Sequence, residues 1–203
     1  MINILKKMNN WINNNSNKSI PEKVDKIPEI LESKINKEKI TKLETKQKVL
    51  KLIEKAENLT PEKMEKDLPN MKDHPDVRKA HFYENEIWRI GEEIRVLILE
   101  HKGLRKDDFI NDKIINFCLN RNSKCGRESF IMLLWYKHNQ KYAEKLASLI
   151  DDKYVYGHII EGLNKLQVEG YCEKVSKFTN DKRTWVKKQA IKYVEKYCTQ
   201  QHI

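Results

Sequence analysis

His81 and Glu84 stand three residues apart in a stretch of helical periodicity, so an imidazole and a carboxylate share one side of a helix. Such a pair could contribute to a metal site, but a solvated helix face explains it better. The other histidines are scattered. Cys118, Cys125, Cys172 and Cys198 form no Cys-x-x-Cys. Cys118 and Cys172 fall at core-like helical positions, so buried thiols acting as small hydrophobes are expected rather than disulfides or metal ligands. That fits a reducing, cytoplasmic setting. No Gly-x-Gly-x-x-Gly, Walker loop or Gly-x-Ser-x-Gly occurs, and six glycines leave few phosphate-cradling loops. No catalytic residue, metal ligand or cofactor is assigned, and an enzyme is not expected.

The most suggestive set is an acid–lysine pair that recurs at equivalent places: Asp112-Lys113, Glu144-Lys145 and Glu173-Lys174. Apolar positions flank each pair, so the pair should point away from the core. Helices stacked about 8–10 Å apart would turn the three lysines into one basic track, with Ser148 and Lys177 one turn on. Lys113, Lys145, Lys174, Lys177 and Ser148 are therefore the candidate partner-binding residues. Salt bridging between neighbouring helices is the plainer account of the same pattern. Trp88, Trp135 and Trp185 recur at wide, similar intervals. Trp185 is read first as a packing residue in the opening turn of a helix.

The elements that must position these residues are helical. Residues 1–33 read as a flexible arm: Asn13–Ser19 is a polar low-complexity linker, and Pro21 and Pro28 keep Ile20–Glu32 from forming one long helix. Residues 34–75 read as a helical extension. Lys34–Asn58 carries a thin apolar stripe and should pack loosely. Thr60-Pro61-Glu62 has the signals of a second start, a capping hydroxyl followed by proline and acid. His74-Pro75-Asp76 opens a helix that continues to His101, with Ile87, Ile90, Ile94 and Ile98 along one face, and Lys102-Gly103 ends it.

Residues 76–203 contain internal repeats. Tyr142–Asp152 (YAEKLASLIDD) is followed by Tyr171–Asp181 (YCEKVSKFTND), with Leu146/Val175 and Leu149/Phe178 replacing each other in kind. A weaker copy is Ile110–Asn120. Val155–Leu166 matches Val186–Tyr197, and Cys125–Tyr136 is a looser third copy. Two helices in about 30 residues, repeated, predict stacked helix pairs, because one pair cannot bury its own apolar face. The expected fold is an all-α, short solenoid of antiparallel helix pairs with a helical N-terminal extension.

The spacing Asp181, Val186, Lys187, Ala190 resembles the HEAT repeat, and the wording around Gly157-His158 and Asn180–Ala190 is similar to bacterial HEAT-repeat proteins. The resemblance covers about residues 105–198. It implies that the Asp and the basic residue bridge successive repeats. The preceding repeat departs from the pattern, with Tyr156 after Val155 in place of a cation. Some HEAT-like enzymes bind iron through His-Glu dipeptides, and this chain has none. HEAT-like alkylpurine DNA glycosylases use Trp, Asp and Arg on a basic concave face. Trp185 beside Arg183 and Lys187 is similar in part, but no matching Asp can be placed.

The chain has 203 residues, 39% hydrophobic and 34% charged, with net charge +10. The excess lies in residues 1–75 and 123–203, while 76–122 is balanced. Its cations are mostly Lys in an Asn- and Ile-rich sequence, so the bias is partly compositional and nucleic acid is only a possible partner. No stretch approaches the about 20 apolar residues of a membrane span, and no small-molecule substrate is evident. The expected function is a non-enzymatic HEAT-repeat protein-binding scaffold or adaptor, in one form a bacterial immunity protein. Its protein partner would sit on the second helix of each repeat. The alternative is a nucleic-acid-binding HEAT-like protein related to the alkylpurine DNA glycosylases.

Overall fold

A computed structural model describes residues 27–73 and 78–198, and side chains from residue 41 onward together with Glu38. The N-terminal linker, the helix-opening His74-Pro75-Asp76 and residues 199–203 lie outside the described residues. The chain is all-helical: α1 (Ile27–Leu59), α2 (Phe82–Glu100), α3 (Asp108–Leu119), α4 (Glu128–Leu133), α5 (Ala143–Ala147), α6 (Tyr156–Leu166), α7 (Cys172–Ser176) and α8 (Thr184–Tyr197). 3₁₀ turns occupy Lys102–Lys106, Arg121–Arg127 and Lys137–Tyr142. Among the described residues no strand forms, and Asn70 and Arg78 meet in an isolated antiparallel bridge. The compact unit that holds the core begins at Glu44, within α1.

The core follows from helical periodicity. Ile87, Ile90, Ile94 and Ile98 line the buried face of α2, and Ile110, Ile114, Ile115 and Phe117 that of α3. Within the compact unit α2 packs on α4, α4 on α6 and α6 on α8. α3 lies against α4, α5 against α6 and α7 against α8, and α3 also touches α5. Gly91 brings α2 close to α4: a Cβ there would lie 2.0 Å from Ser129 Oγ.

The spacing of the sequence repeat reappears in the backbone. After α5, Leu149 N–H donates to Leu146 O, Ile150 to Ala147 and Asp152 to Leu149; after α7, Phe178 donates to Val175, Thr179 to Ser176 and Asp181 to Phe178. These i→i−3 bonds tighten both segments into turns, which is why α5 and α7 are shorter than their apolar pattern predicts.

Several expectations need correction. Thr60-Pro61 starts no helix. Thr60 Oγ1 donates back to Ala56 O (3.0 Å) and meets Ser123 Oγ (2.8 Å), so the hydroxyl closes α1 instead of opening a new element. α1 itself begins at Ile27, because Pro28 falls in the first turn, where its missing N–H costs nothing. Nor is its end loosely packed: Val49, Leu52, Ile53 and Ala56 are buried in the core, and Lys46 pairs with Asp107 at 2.7 Å. α2 starts at Phe82, with extended His81 as its N-cap. His81 and Glu84 are therefore neither metal ligands nor a solvated face. Glu84 is fully buried, accepts from His81 N–H (3.0 Å) and takes the Arg78 guanidinium in a fork. Cys172 is not a free core thiol but is disulfide-bonded to Cys198, tying the start of α7 to the end of α8; Cys118 is a buried free thiol as expected.

Candidate functional site

The outer side of the α2–α4–α6–α8 series carries a row of aromatic rings. Because α2 turns its isoleucines inward, Trp88, Glu92 and Arg95 come next around the helix. They form one wall of a groove of about 490 Å³ completed by Met132, Trp135, Tyr136 and Lys165. Two glycines of α6 seat the neighbouring indoles. A Cβ on Gly162 would lie 2.8 Å from Trp135 Nε1, and one on Gly157 would lie 2.3 Å from the Trp185 ring. His158 sits between them, its ring centroid 6.0 Å from that of Trp135 and 5.1 Å from that of Trp185. The row is thus half structural. Trp185 packs in the first turn of α8 but keeps 39% of its surface exposed, and Trp88 keeps 40%. Arg183 lies over both Tyr156 and Trp185, 4.0 and 5.6 Å from the ring centroids.

At Tyr136 the groove meets a second cavity, of about 590 Å³, lined by Lys102, Arg105, Lys106, Tyr136, Lys137 and His138. The Arg105 guanidinium lies over the Tyr136 ring, its Cζ 4.8 Å from the centroid. The acids nearby are occupied: Lys46 holds Asp107, and Lys141 (2.7 Å) and His138 (3.0 Å) hold Asp108.

Lys113, Lys145, Lys174 and Lys177 are all exposed, on or just after α3, α5 and α7, the helices opposite the groove-forming series. The acids beside them do not bridge to the next lysine. Asp112 instead accepts the Tyr142 hydroxyl at 2.6 Å. Lys113 lines a shallow groove with Leu50, Lys51, Ile53, Glu54, Glu57 and Phe109, a set that includes none of the other three lysines. Ser148 is exposed and turns its hydroxyl back to Lys145 O (2.7 Å).

The implied bridge between repeats takes a different form. Asp152 accepts Arg127 Nη2 at 2.7 Å and Tyr154 N–H at 3.1 Å; Asp181, its counterpart, accepts the Tyr156 hydroxyl and Arg183 N–H at 2.8 Å. Arg127 immediately precedes α4 and Tyr156 opens α6, one place apart in the aligned copies. The phenol therefore does in one repeat what the guanidinium does in the other, which accounts for the departure at Tyr156. Lys187 faces solvent.

A polar cluster ties the segment after α1 to this framework. Asp67 receives Lys124 (2.9 Å), Lys153 and the Tyr154 hydroxyl (2.6 Å). Burial pushes its carboxyl up, but those donors outweigh burial and hold it well below the usual carboxylate range. Lys124 is fully buried and has a positive φ of 45° where the chain kinks before α4. The Cys125 thiol, donating to Glu84 at 2.8 Å, is pushed up to about 12, chiefly by burial. Burial alone does the same to Cys118. Both free thiols are protonated near neutrality, so neither is an activated nucleophile. What these residues provide is shape, aromatic surface and fixed charge. Among the described residues no group of three or more His, Cys, Asp or Glu is arranged to hold a metal, and no helix is long and apolar enough to cross a membrane.

The chain matches no family model, no curated protein and no solved structure.

Sequence reasoning noticed the tryptophans but not that they converge. The glycine spacing in α6, Gly157 and Gly162, was the available signal, because glycines inside a helix mark close approach by a neighbour. The cationic cavity left no trace in the repeat, since all its charged residues lie in the connections.

Proposed function

We propose that the chain is a non-enzymatic, HEAT-like solenoid of antiparallel helix pairs that binds a protein partner along the groove of the second helices. The solenoid reading is supported by the successive packing of α2, α4, α6 and α8, each with a partner helix behind it, and by the repeated turn hydrogen bonds. One observation carries the binding reading: a row of rings from α2, the turn after α4, α6 and α8, with Trp88 and Trp185 partly exposed at its ends. Exposed Trp and Tyr are the side chains that most often anchor protein interfaces. An adaptor or a bacterial immunity protein is the role we favour.

The test compares partner capture by the wild-type chain, a Trp88→Glu variant and a Lys72→Glu control on an exposed loop. A partner held by wild type and control but lost from folded Trp88→Glu supports the groove. Equal capture by all three removes it. Nucleic acid is the second reading, favoured by the cationic cavity that shares Tyr136 with the groove. It requires duplex or single-stranded DNA binding with a log–log salt slope near about −3 for roughly three neutralised phosphates. Salt-insensitive binding, or none at low salt, excludes it.

A further inference from the structure

The cavity at the Lys102–Lys106 and Lys137–Tyr142 turns carries more positive charge than packing explains. In a 3₁₀ turn, positions three apart eclipse, so Lys102 and Arg105 project on the same side. Leu104, fully buried, pins that turn to the core. The second turn is pinned by buried Asn139 and Tyr142, and brings Lys137 and His138 to face the first. Four cations and an imidazole thus line one space, and no carboxylate lines it.

Among the described residues, none of Lys102, Arg105, Lys106 and Lys137 is in an ion pair, while the adjacent Asp107 and Asp108 are taken by Lys46, Lys141 and His138. Arg105 Nε is buried without a hydrogen-bond acceptor in the protein. A buried N–H left unpaired is costly, and like charges around one cavity repel each other. The repulsion is relieved if an anion with several acceptor oxygens enters, and the rest of the Arg105 guanidinium can donate to it. The guanidinium, placed over the Tyr136 ring, is a planar multi-donor group suited to an oxyanion, and the lysines supply movable point charges.

We infer that this cavity is an oxyanion site for phosphoryl groups, built from Lys102, Arg105, Lys106 and Lys137. It does not depend on what fills the aromatic groove. The phosphoryl group could belong to a free phosphate ester or pyrophosphate, or to the backbone of a single nucleic-acid strand lying across Tyr136.

Calorimetric titration of the full chain at low salt with pyrophosphate and, separately, with a short oligothymidylate separates these sources. Saturable binding of either probe is expected. It should weaken about tenfold or more in Lys106→Ala/Lys137→Ala, where two charges facing the anion are lost. A Lys63→Ala/Lys72→Ala control, at two exposed positions away from the cavity, loses the same net charge and should bind as wild type. Amide shift changes on titrating the wild-type chain with either probe, centred on Arg105, Tyr136 and Lys137, give a readout that needs no variant. Tighter binding of pyrophosphate identifies a small ligand; tighter binding of the oligonucleotide identifies a strand. Absence of saturable binding by both probes overturns the inference, as does equal weakening in the two double variants.

Discussion

Replacing Asp152 by Ala should be among the most destabilising changes in this protein. Arg127 is fully buried and spends its donors on Lys124 O (3.0 Å), Cys118 O (2.9 Å) and the Asp152 carboxylate (2.7 Å). Removing the carboxylate leaves a guanidinium in the core with carbonyl acceptors but no countercharge. Breaking a buried pair from one side costs about 3–5 kcal/mol. For a chain of this length that corresponds to a melting-point drop of roughly 6–20 °C. The matching change at Asp181 should cost only about 1–2 kcal/mol, because its bridge is to a neutral phenol and its cation, Arg183, is 40% exposed. Urea denaturation followed by circular dichroism, with both variants measured beside Arg127→Met/Asp152→Leu, checks the reasoning. The double variant should recover much of the loss, since the cost comes from the unpaired charge and not from the missing attraction. An Asp152→Ala variant within about 1 kcal/mol of wild type, or no difference from Asp181→Ala, would refute it.

Leu149, 2% exposed, should cost about 2–5 kcal/mol on truncation to Ala, whereas half-buried Phe178, stacked on Tyr156, should fall below the about 3–5 kcal/mol of a fully buried Phe; chemical denaturation ranks the two. Folding lowers the carboxyl pKa of both Asp67 and Glu84, so acid protonates the unfolded chain first. Their contribution is complete above about pH 5 and shrinks as pH falls below roughly 4; Asp67→Asn should flatten that acid limb in thermal melts taken against pH. Reversing Lys113, Lys145, Lys174 and Lys177 together to Glu should leave stability nearly unchanged, about 0.5 kcal/mol per site at most, because all four are exposed. If they form one track, the variant should bind the partner with slower association, measured by surface-immobilised kinetics; unchanged capture rules the track out.

The all-helical class was legible in the sequence because it rests on neighbours three and four residues apart. Ile87, Ile90, Ile94 and Ile98 announce the buried face of α2, and Lys102-Gly103 marks its end. The repeat was legible too, since Leu149 and Phe178 close the same turn with the same hydrogen bonds. What lay out of reach depends on partners distant along the chain. Thr60 closes a helix because Ser123 and Ala56 receive it, and the local capping signal cannot report that. Glu84 leaves its solvated face because Arg78 and Cys125 come to meet it. Cys172 finds Cys198 only once α7 has folded against α8. Arg127, a surface residue by composition, is drawn inside by Asp152 of the following repeat. The aromatic groove is the same kind of fact. A tryptophan's position in the chain shows that it can stack, while the glycines of a neighbouring helix decide where it does. Periodicity encodes which face of a helix is apolar; the identity of the atoms packed against that face, and therefore charge pairing, cavities and binding surface, is settled only by tertiary contact.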